Sequence, residues 1–150
     1  MNTKDYKIWT PVKIKIHNNE SVRPGFHERE IWYCHLGENV GFEQDGKGET
    51  FLRPIIILRK FNNEIFWAIP LTSALKKSKY YFIVTQEKNR KSSAILSQIR
   101  LIDAKRLSHK IYNVKPTEFE ELKKKLKDLI PWVFSFNLRL CGVGPKAFVL

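Results

Sequence analysis

The sequence predicts a mainly β protein of the α+β class, in which a small, strongly curved, barrel-like antiparallel sheet packs against one C-terminal amphipathic helix. Short runs rich in β-branched and aromatic residues recur between residues 29 and 111. Polar and glycine-containing segments separate these runs. A single helical pattern follows them, near residues 117–130.

The strand runs differ in how strongly they indicate their place in the sheet. The run IIIL at 55–58 is continuously apolar, which is typical of a central strand buried on both faces. Asn62 and Asn63 accept positive φ values, so a tight hairpin should connect this strand to the next. The predicted strands cover 29–36, 52–61, 64–73 and 79–86, and one or two more lie within 94–111.

The predicted helix spans residues 117–130. Thr117 and Glu120 have the spacing of a capping box, and Pro131 cannot continue the helix. The acidic residues precede the lysines, which suits the helix dipole. One apolar stripe faces the sheet and comprises Phe119, Leu122, Leu126, Leu129 and Ile130.

Length and charge limit the classes of function. The 150 residues, 43% of them hydrophobic, correspond to one domain. The formal net charge of +12 indicates a polyanionic partner, with nucleic acid as the first candidate. The lysine run at 123–127 also fits an ordinary solvated helix face.

Cysteine usage and the termini favour a cytoplasmic protein without a metal or another cofactor. Cys34 and Cys141 are far apart and form neither a disulfide framework nor a zinc motif. The N-terminus lacks the apolar core of a signal peptide. The tail at 131–150 is apolar but interrupted by polar residues, so we expect a packing or interface segment and no membrane span.

Four short motifs occur in a distinctive order: FEQ at 42–44, RPIII at 53–57, IPLTS at 69–73 and LSQIRLIDAKRLSHKI at 96–111. Together they resemble the MazF/PemK family of toxin endoribonucleases from bacterial toxin–antitoxin pairs. The resemblance covers about residues 28–130. It leaves an N-terminal extension, residues 1–27, and the tail after Pro131 outside the family core.

The resemblance implies an SH3-like barrel and a homodimer. It also implies metal-independent cleavage of single-stranded RNA at short sequences, which inhibits translation and growth. The implied protein partner is an antitoxin whose disordered acidic segment covers the RNA groove, and the complex of toxin and antitoxin would bind DNA. No cofactor is implied.

A metal-independent ribonuclease uses the 2′-OH of RNA to attack the adjacent phosphate. The reaction needs a cation for the phosphorane, a group that takes the 2′-OH proton and a donor for the leaving 5′-oxygen. The resemblance assigns the catalytic roles to Arg53, Thr72 and Glu43. It assigns substrate binding to Gln44, Ser73, Gln98 and Arg100, and Lys47 could reach RNA from its glycine-containing loop.

Each of these residues also fits an ordinary structural role. Arg53 fits a surface arginine beside a buried strand, and Thr72 fits a turn at a strand end. Glu43 fits a solvated loop residue. Strand alternation would place Gln98 and Arg100 on one face, where they fit either RNA contacts or the polar face of a sheet.

Two departures from the family pattern leave the function open. Many members carry an acidic residue immediately before the glutamine, where this chain has Ser97. The loop between Gln44 and Arg53 is also longer than usual, and a different substrate preference is the corresponding expectation. The alternative function is a non-catalytic RNA-binding or gyrase-inhibiting toxin on the same fold. Trp32, Phe66 and Trp67 are predicted to be core residues, while Tyr80 or Tyr81 could stack on bases.

Overall fold

The computed structural model describes residues 4–86 and 89–130, and the predicted tail at 131–150 lies outside this part of the chain. The mainly β class with a C-terminal helix is confirmed. Two short 3₁₀ turns, Leu96–Gln98 and Ala104–Arg106, interrupt the segment predicted as one or two strands. The helices and strands in chain order are α1 (Tyr6–Asn18), β1 (Glu30–His35), β2 (Leu52–Lys60), β3 (Ile65–Thr72), β4 (Tyr81–Thr85), β5 (Lys91–Ile95), β6 (Arg100–Asp103), β7 (Leu107–Asn113) and α2 (Pro116–Lys127).

The seven strands form an antiparallel sheet in the order β4-β5-β3-β2-β1-β7, and β6 also pairs with β3. β3 pairs with two different strands along its length: Ile65–Ala68 pair with β6, and Leu71 and Thr72 pair with β5. Register shifts in the β1–β7 and β2–β3 pairs bend the sheet. Within the described residues, the sheet bends strongly but its two outer strands do not pair to close it.

Both faces of the central sheet carry a hydrophobic core. Because successive side chains of a strand point to opposite faces, Ile56 and Leu58 of β2 pack toward α2, whereas Ile55 and Ile57 pack with Phe26 on the other face. This two-sided burial explains the continuous apolar run of β2. Trp32 and Phe66 are buried as predicted, but Trp67 is 45% exposed, so its assignment to the core was wrong.

Helix α2 buries part of its predicted apolar stripe but begins and ends differently. It ends at Lys127, so Leu129 and Ile130 lie beyond it, and Ile130 is 45% exposed. Lys115 occupies the N-cap position without a side-chain hydrogen bond, and Pro116 follows it. Proline is favoured there because its missing N–H has no partner in the first turn of a helix. Thr117 therefore lies inside the helix, and the predicted capping box is wrong. The buried residues are Phe119, Leu122 and Leu126.

Helix α1 has no counterpart in the sequence prediction. Its sequence, YKIWTPVKIKIHN, is rich in β-branched residues and contains Pro11, which removes one helical hydrogen bond. It also lacks acidic residues in its first turn. The buried residue of α1 is Trp9, so its anchoring depends on tertiary contacts.

Glu30 is a buried carboxylate at the start of β1, with 5% of the residue exposed. Burial disfavours its charged form, but hydrogen bonds from Lys110 Nζ (2.7 Å), Trp32 Nε1 (2.8 Å) and the His27 amide (2.9 Å) outweigh that effect and lower its pKa. A carboxylate whose pKa is lower in the folded state stabilises the fold above its unfolded-state pKa. That stability is lost as pH falls through the folded-state pKa.

We therefore expect Glu30→Gln to lower the free energy of unfolding at pH 7 by about 1–3 kcal/mol, since charged hydrogen bonds are lost. The parent should lose stability as pH falls below about 4.5, the ordinary pKa of glutamate, and the variant should lose less of it. Urea unfolding between pH 3 and 7 measures both effects. The matched control is Glu49→Gln, at an exposed carboxylate. Equal pH dependence in the parent and Glu30→Gln would contradict the assignment.

Candidate active site

Arg53 is the second residue of β2, and it is the cation on which the predicted site is centred. Only 6% of the residue is exposed. Its Nε donates a hydrogen bond to the carbonyl oxygen of Asp45, and its Nη1 donates to that of Leu71 at 3.0 Å. These bonds use two of the five N–H groups of the guanidinium. The side chain is therefore held rigidly from two sides.

Two opposing effects act on the pKa of Arg53, and their net result is to lower it. Burial lowers the pKa of its guanidinium, and the negative charge of Asp45 raises it. An arginine pKa starts so high that the group stays charged at neutral pH. A buried cation attracts a phosphate more strongly than an exposed one, because less water screens it.

Thr72, the last residue of β3, lines the same surface depression as Arg53. Lys47 and Ser73 also line it, so four of the predicted site residues come together. The Thr72 hydroxyl accepts a hydrogen bond from the Ala74 amide at 3.3 Å. Thr72 therefore has the structural role, in a turn at a strand end, that was the alternative to a catalytic role. That bond uses one acceptor position and leaves the hydroxyl proton able to donate.

Three of the other four predicted residues line a separate depression. Glu43, Gln98 and Arg100 lie there, together with Ser97. Glu43 is exposed, and its carboxylate accepts a hydrogen bond from the Val40 amide at 3.3 Å. Among the described residues, Glu43 is therefore not one of those that line the Arg53 depression.

Gln98 and Arg100 share a depression, but not for the predicted reason. Gln98 ends a 3₁₀ turn and Arg100 begins β6, so strand alternation does not relate them. The Gln98 side chain holds the loop that follows β1: its Oε1 accepts from the Gln44 amide at 3.2 Å, and its Nε2 donates to the Phe42 carbonyl at 3.2 Å. Gln44 itself does not line this depression, and its backbone amide bonds to Gln98, which does.

Sequence reasoning missed two residues that shape the loop at 37–50. Asp45 contributes its carbonyl to Arg53 and accepts the Asn39 amide on its carboxylate at 2.7 Å. Asn39 donates its side-chain amide to the Gln44 carbonyl at 2.9 Å. Asn and Asp commonly make such bonds to nearby backbone, so their presence in a glycine-containing loop was the available signal.

Aromatic and basic side chains extend the polar surface at the start of β4. Tyr80 is 45% exposed and lies against the Lys79 ammonium, 5.0 Å from its ring centre. Tyr81 contacts Lys76 in the same manner, at 5.2 Å. The prediction that one of these tyrosines stacks on a base stays a prediction.

The described residues contain neither a cluster of metal ligands nor a helix that could cross a membrane. Residues 4–86 and 89–130 contain no group of three His, Cys, Asp or Glu side chains placed to hold a metal ion. Among the helices of this part of the chain, none has the length and hydrophobicity to cross a membrane. Cys34 is a free thiol whose pKa burial raises to about 12, and Cys141 lies outside the described residues.

Sequence comparison identifies one matching family. Its description is "PemK-like, MazF-like toxin of type II toxin-antitoxin system", and it matches residues 27–130, more than two thirds of the chain. No curated protein sequence matches the chain.

Solved structures of similar fold include MazF (Form-I) from Deinococcus radiodurans, with a TM-score of 0.59, 18% identity and coverage of 73% of this chain and 97% of that one. Mycobacterium tuberculosis toxin MazF-mt6 gives a TM-score of 0.52 and 15% identity, covering 67% of this chain and 94% of that one. An endoribonuclease in complex with its cognate antitoxin, from a mycobacterial species, gives 0.54 and 13%, covering 72% and 99%. At these identities the likeness establishes the fold.

Proposed function

This chain belongs to the PemK-like, MazF-like toxin family of type II toxin–antitoxin systems, and from that premise we propose that it is an endoribonuclease that cleaves single-stranded RNA without a metal ion. The observation that carries the proposal is the shared depression of Arg53 and Thr72. These residues come from different strands, and the fold brings a fixed cation and a hydroxyl to one surface. Such a pair suits a phosphodiester.

In the proposed reaction, the 2′-oxygen of a ribose forms a bond to the adjacent phosphorus, and the bond from phosphorus to the 5′-oxygen breaks. The products are a 2′,3′-cyclic phosphate and a 5′-OH end. The remaining N–H groups of Arg53 stabilise the charge that builds on the phosphorane oxygens, and Lys47 adds a second cation. The Thr72 hydroxyl donates to a phosphate oxygen.

No carboxylate or histidine is among the described residues that line the Arg53 depression, so the 2′-OH proton goes to a base outside it, and the leaving 5′-oxygen takes its proton from water. Ser97 replaces the acidic residue found in many relatives and cannot act as a carboxylate base. Glu43 is the proposed base, and it would have to act on RNA that spans both depressions. Gln44, Ser73, Gln98 and Arg100 would then contact the nucleotides that flank the scissile phosphate.

The proposed biological role is a toxin that inhibits translation and growth. The net charge of +12 favours an antitoxin with an acidic, disordered segment that competes with RNA for the same basic surface. We further propose a homodimer, action in the cytoplasm and DNA binding by the toxin–antitoxin complex. These features extend the family assignment.

Cleavage of a long single-stranded RNA in the presence of EDTA tests the activity. We expect discrete fragments that end in cyclic phosphate at a short recurring sequence, because Arg53 and Lys47 supply the charge that a metal would supply. Mapping both ends of each cut gives the chemistry and the target sequence together. Intact RNA with a retarded gel band would instead favour the non-catalytic binder. If the RNA stays intact and is not retarded, and the protein inhibits DNA supercoiling by gyrase, the gyrase-inhibiting alternative is favoured.

A further inference from the structure

We propose that the N-terminal segment 4–18, which precedes the part matched by the family, is a positioning element that holds the loop at 37–50 and, through Asp45, the Arg53 guanidinium. The inference concerns how the site is held in place and rests on the proposed function for its effect on catalysis. Four contacts carry it. Two of them join Lys4 and Tyr6 to the loop, one packs Trp9 against Phe51 just after the loop, and one connects Trp9 through Arg106 to His35 at the end of strand β1.

The first contact is an ion pair between the Lys4 ammonium and the Asp45 carboxylate. Glu38, in the same loop, lies 4.0 Å from the same ammonium. The hydrogen bond from Lys4 to Asp45 raises the pKa of Lys4, which stays charged at neutral pH. Asp45 is the residue whose carbonyl accepts the Arg53 Nε hydrogen bond. Asp45 alone therefore connects Lys4 to the proposed catalytic cation.

The second contact fixes the other side of the loop. The Tyr6 hydroxyl donates a hydrogen bond to the Asn39 carbonyl at 2.8 Å. The Asn39 amide in turn donates to the Asp45 carboxylate at 2.7 Å. Lys4 and Tyr6 thus hold the same turn of the loop from two directions.

The third contact is the packing of Trp9, which is 5% exposed. Its ring lies 5.3 Å from that of Phe51, two residues before Arg53. Gly37, whose φ is +80°, also lies against the indole, so closely that a Cβ atom there would be 2.1 Å from it. Both ends of the loop therefore meet the same indole ring.

The fourth contact ties the helix to the 3₁₀ turn between β6 and β7. Arg106 lies over the Trp9 ring at 5.7 Å and donates to the His35 carbonyl at 3.0 Å. Lys105 donates to the His17 carbonyl at 2.6 Å. Because both ends of α1 are fixed, the helix can restrain the loop.

The loop needs such a restraint. Gly41 and Gly48 adopt φ values of +56° and +68°, and glycines make a chain segment mobile. Arg53 can stabilise a transition state without reorganisation only if the Asp45 carbonyl stays in place. Loss of the restraint should therefore lower kcat and leave KM nearly unchanged, as expected for a group that acts in the transition state.

The test compares Lys4→Gln, Lys4→Arg and the control Lys7→Gln in the full chain. Lys7 lies in α1, three residues after Lys4, is exposed and has the same charge. We expect Lys4→Gln to lower kcat about fivefold, as one partly exposed ion pair allows. Lys4→Arg should restore most of the rate, and Lys7→Gln should match the parent. High salt should remove the difference between Lys4→Gln and the parent.

Hydrogen exchange separates this inference from the proposed function. The amides of Asn39, Gln44 and Gly46 report on the loop through their hydrogen bonds. We expect them to exchange roughly fivefold faster in Lys4→Gln and at least about tenfold faster in Trp9→Ala, while the β2 amides stay protected.

Exchange and cleavage that are equal in Lys4→Gln and Lys7→Gln would overturn the inference, and so would faster exchange with unchanged kcat. If the parent cleaves no RNA, the proposed function fails, and exchange alone then decides whether the segment holds the loop. If Trp9→Ala fails to fold, the exchange and cleavage rates of the Lys4 variants still decide whether the segment holds the loop.

Discussion

Arg53→Ala is expected to slow RNA cleavage by about 10²–10³-fold, the usual effect of removing one donor that stabilises transition-state charge. The buried guanidinium is fixed by the carbonyls of Asp45 and Leu71, so it needs little reorganisation when charge builds on the phosphorane. Most of the loss should appear in kcat, since the arginine is proposed to act mainly in the transition state. Single-turnover cleavage of one defined RNA measures it.

Two further variants show whether the loss depends on the guanidinium at position 53 or only on the loss of one positive charge. Arg53→Lys keeps the positive charge but cannot reproduce the planar fork that meets two carbonyls, so its rate should lie between those of the parent and Arg53→Ala. Arg59→Ala removes the same charge from the same strand at an exposed position and should cleave at nearly the parental rate. Circular dichroism confirms that each variant is folded. A folded Arg53→Ala that cleaves as fast as the parent would refute the assignment.

The first four predicted strands match β1 to β4 because each has a local signal, whereas β5 (Lys91–Ile95) lies mostly before the predicted segment 94–111 and was missed. The run at 55–58 is apolar on both faces and occupies the centre of the sheet. The predicted hairpin forms after this strand, but neither Asn62 nor Asn63 adopts the predicted positive φ. Instead the Asn62 side chain accepts the amides of Glu64 and Ile65 at 2.8 Å. These effects act over a few residues, so the sequence reveals them.

Other features depend on contacts between distant residues and could not be predicted in this way. Helix α1 is weak as a helix by itself and is anchored by Trp9 against Phe51 and Gly37. The turn that ends at Gln98 bonds to the loop at 37–50, more than fifty residues earlier. Family resemblance supplied Arg53 and Thr72, but only coordinates show that Glu43 lines a separate depression.

Phe66→Ala is expected to lower the free energy of unfolding by about 3–5 kcal/mol, the usual range for removing a fully buried aromatic ring. Phe66 lies in β3 and packs against Phe26, with ring centres 4.8 Å apart. Its loss would leave a cavity in the core on the sheet face opposite α2, where β2, β3 and β6 all contribute side chains. Urea unfolding followed by fluorescence or circular dichroism measures the change.

The neighbouring residue provides the matched control, because successive strand residues point to opposite faces. Trp67 is 45% exposed and contacts Phe61 edge-on at 5.1 Å, so Trp67→Ala should cost about 1 kcal/mol or less. The sequence alone assigned both rings to the core and would predict similar losses. Equal destabilisation by the two variants would contradict the observed register of β3. A large loss confined to Phe66 requires β3 to present Phe66 to the core and Trp67 to solvent.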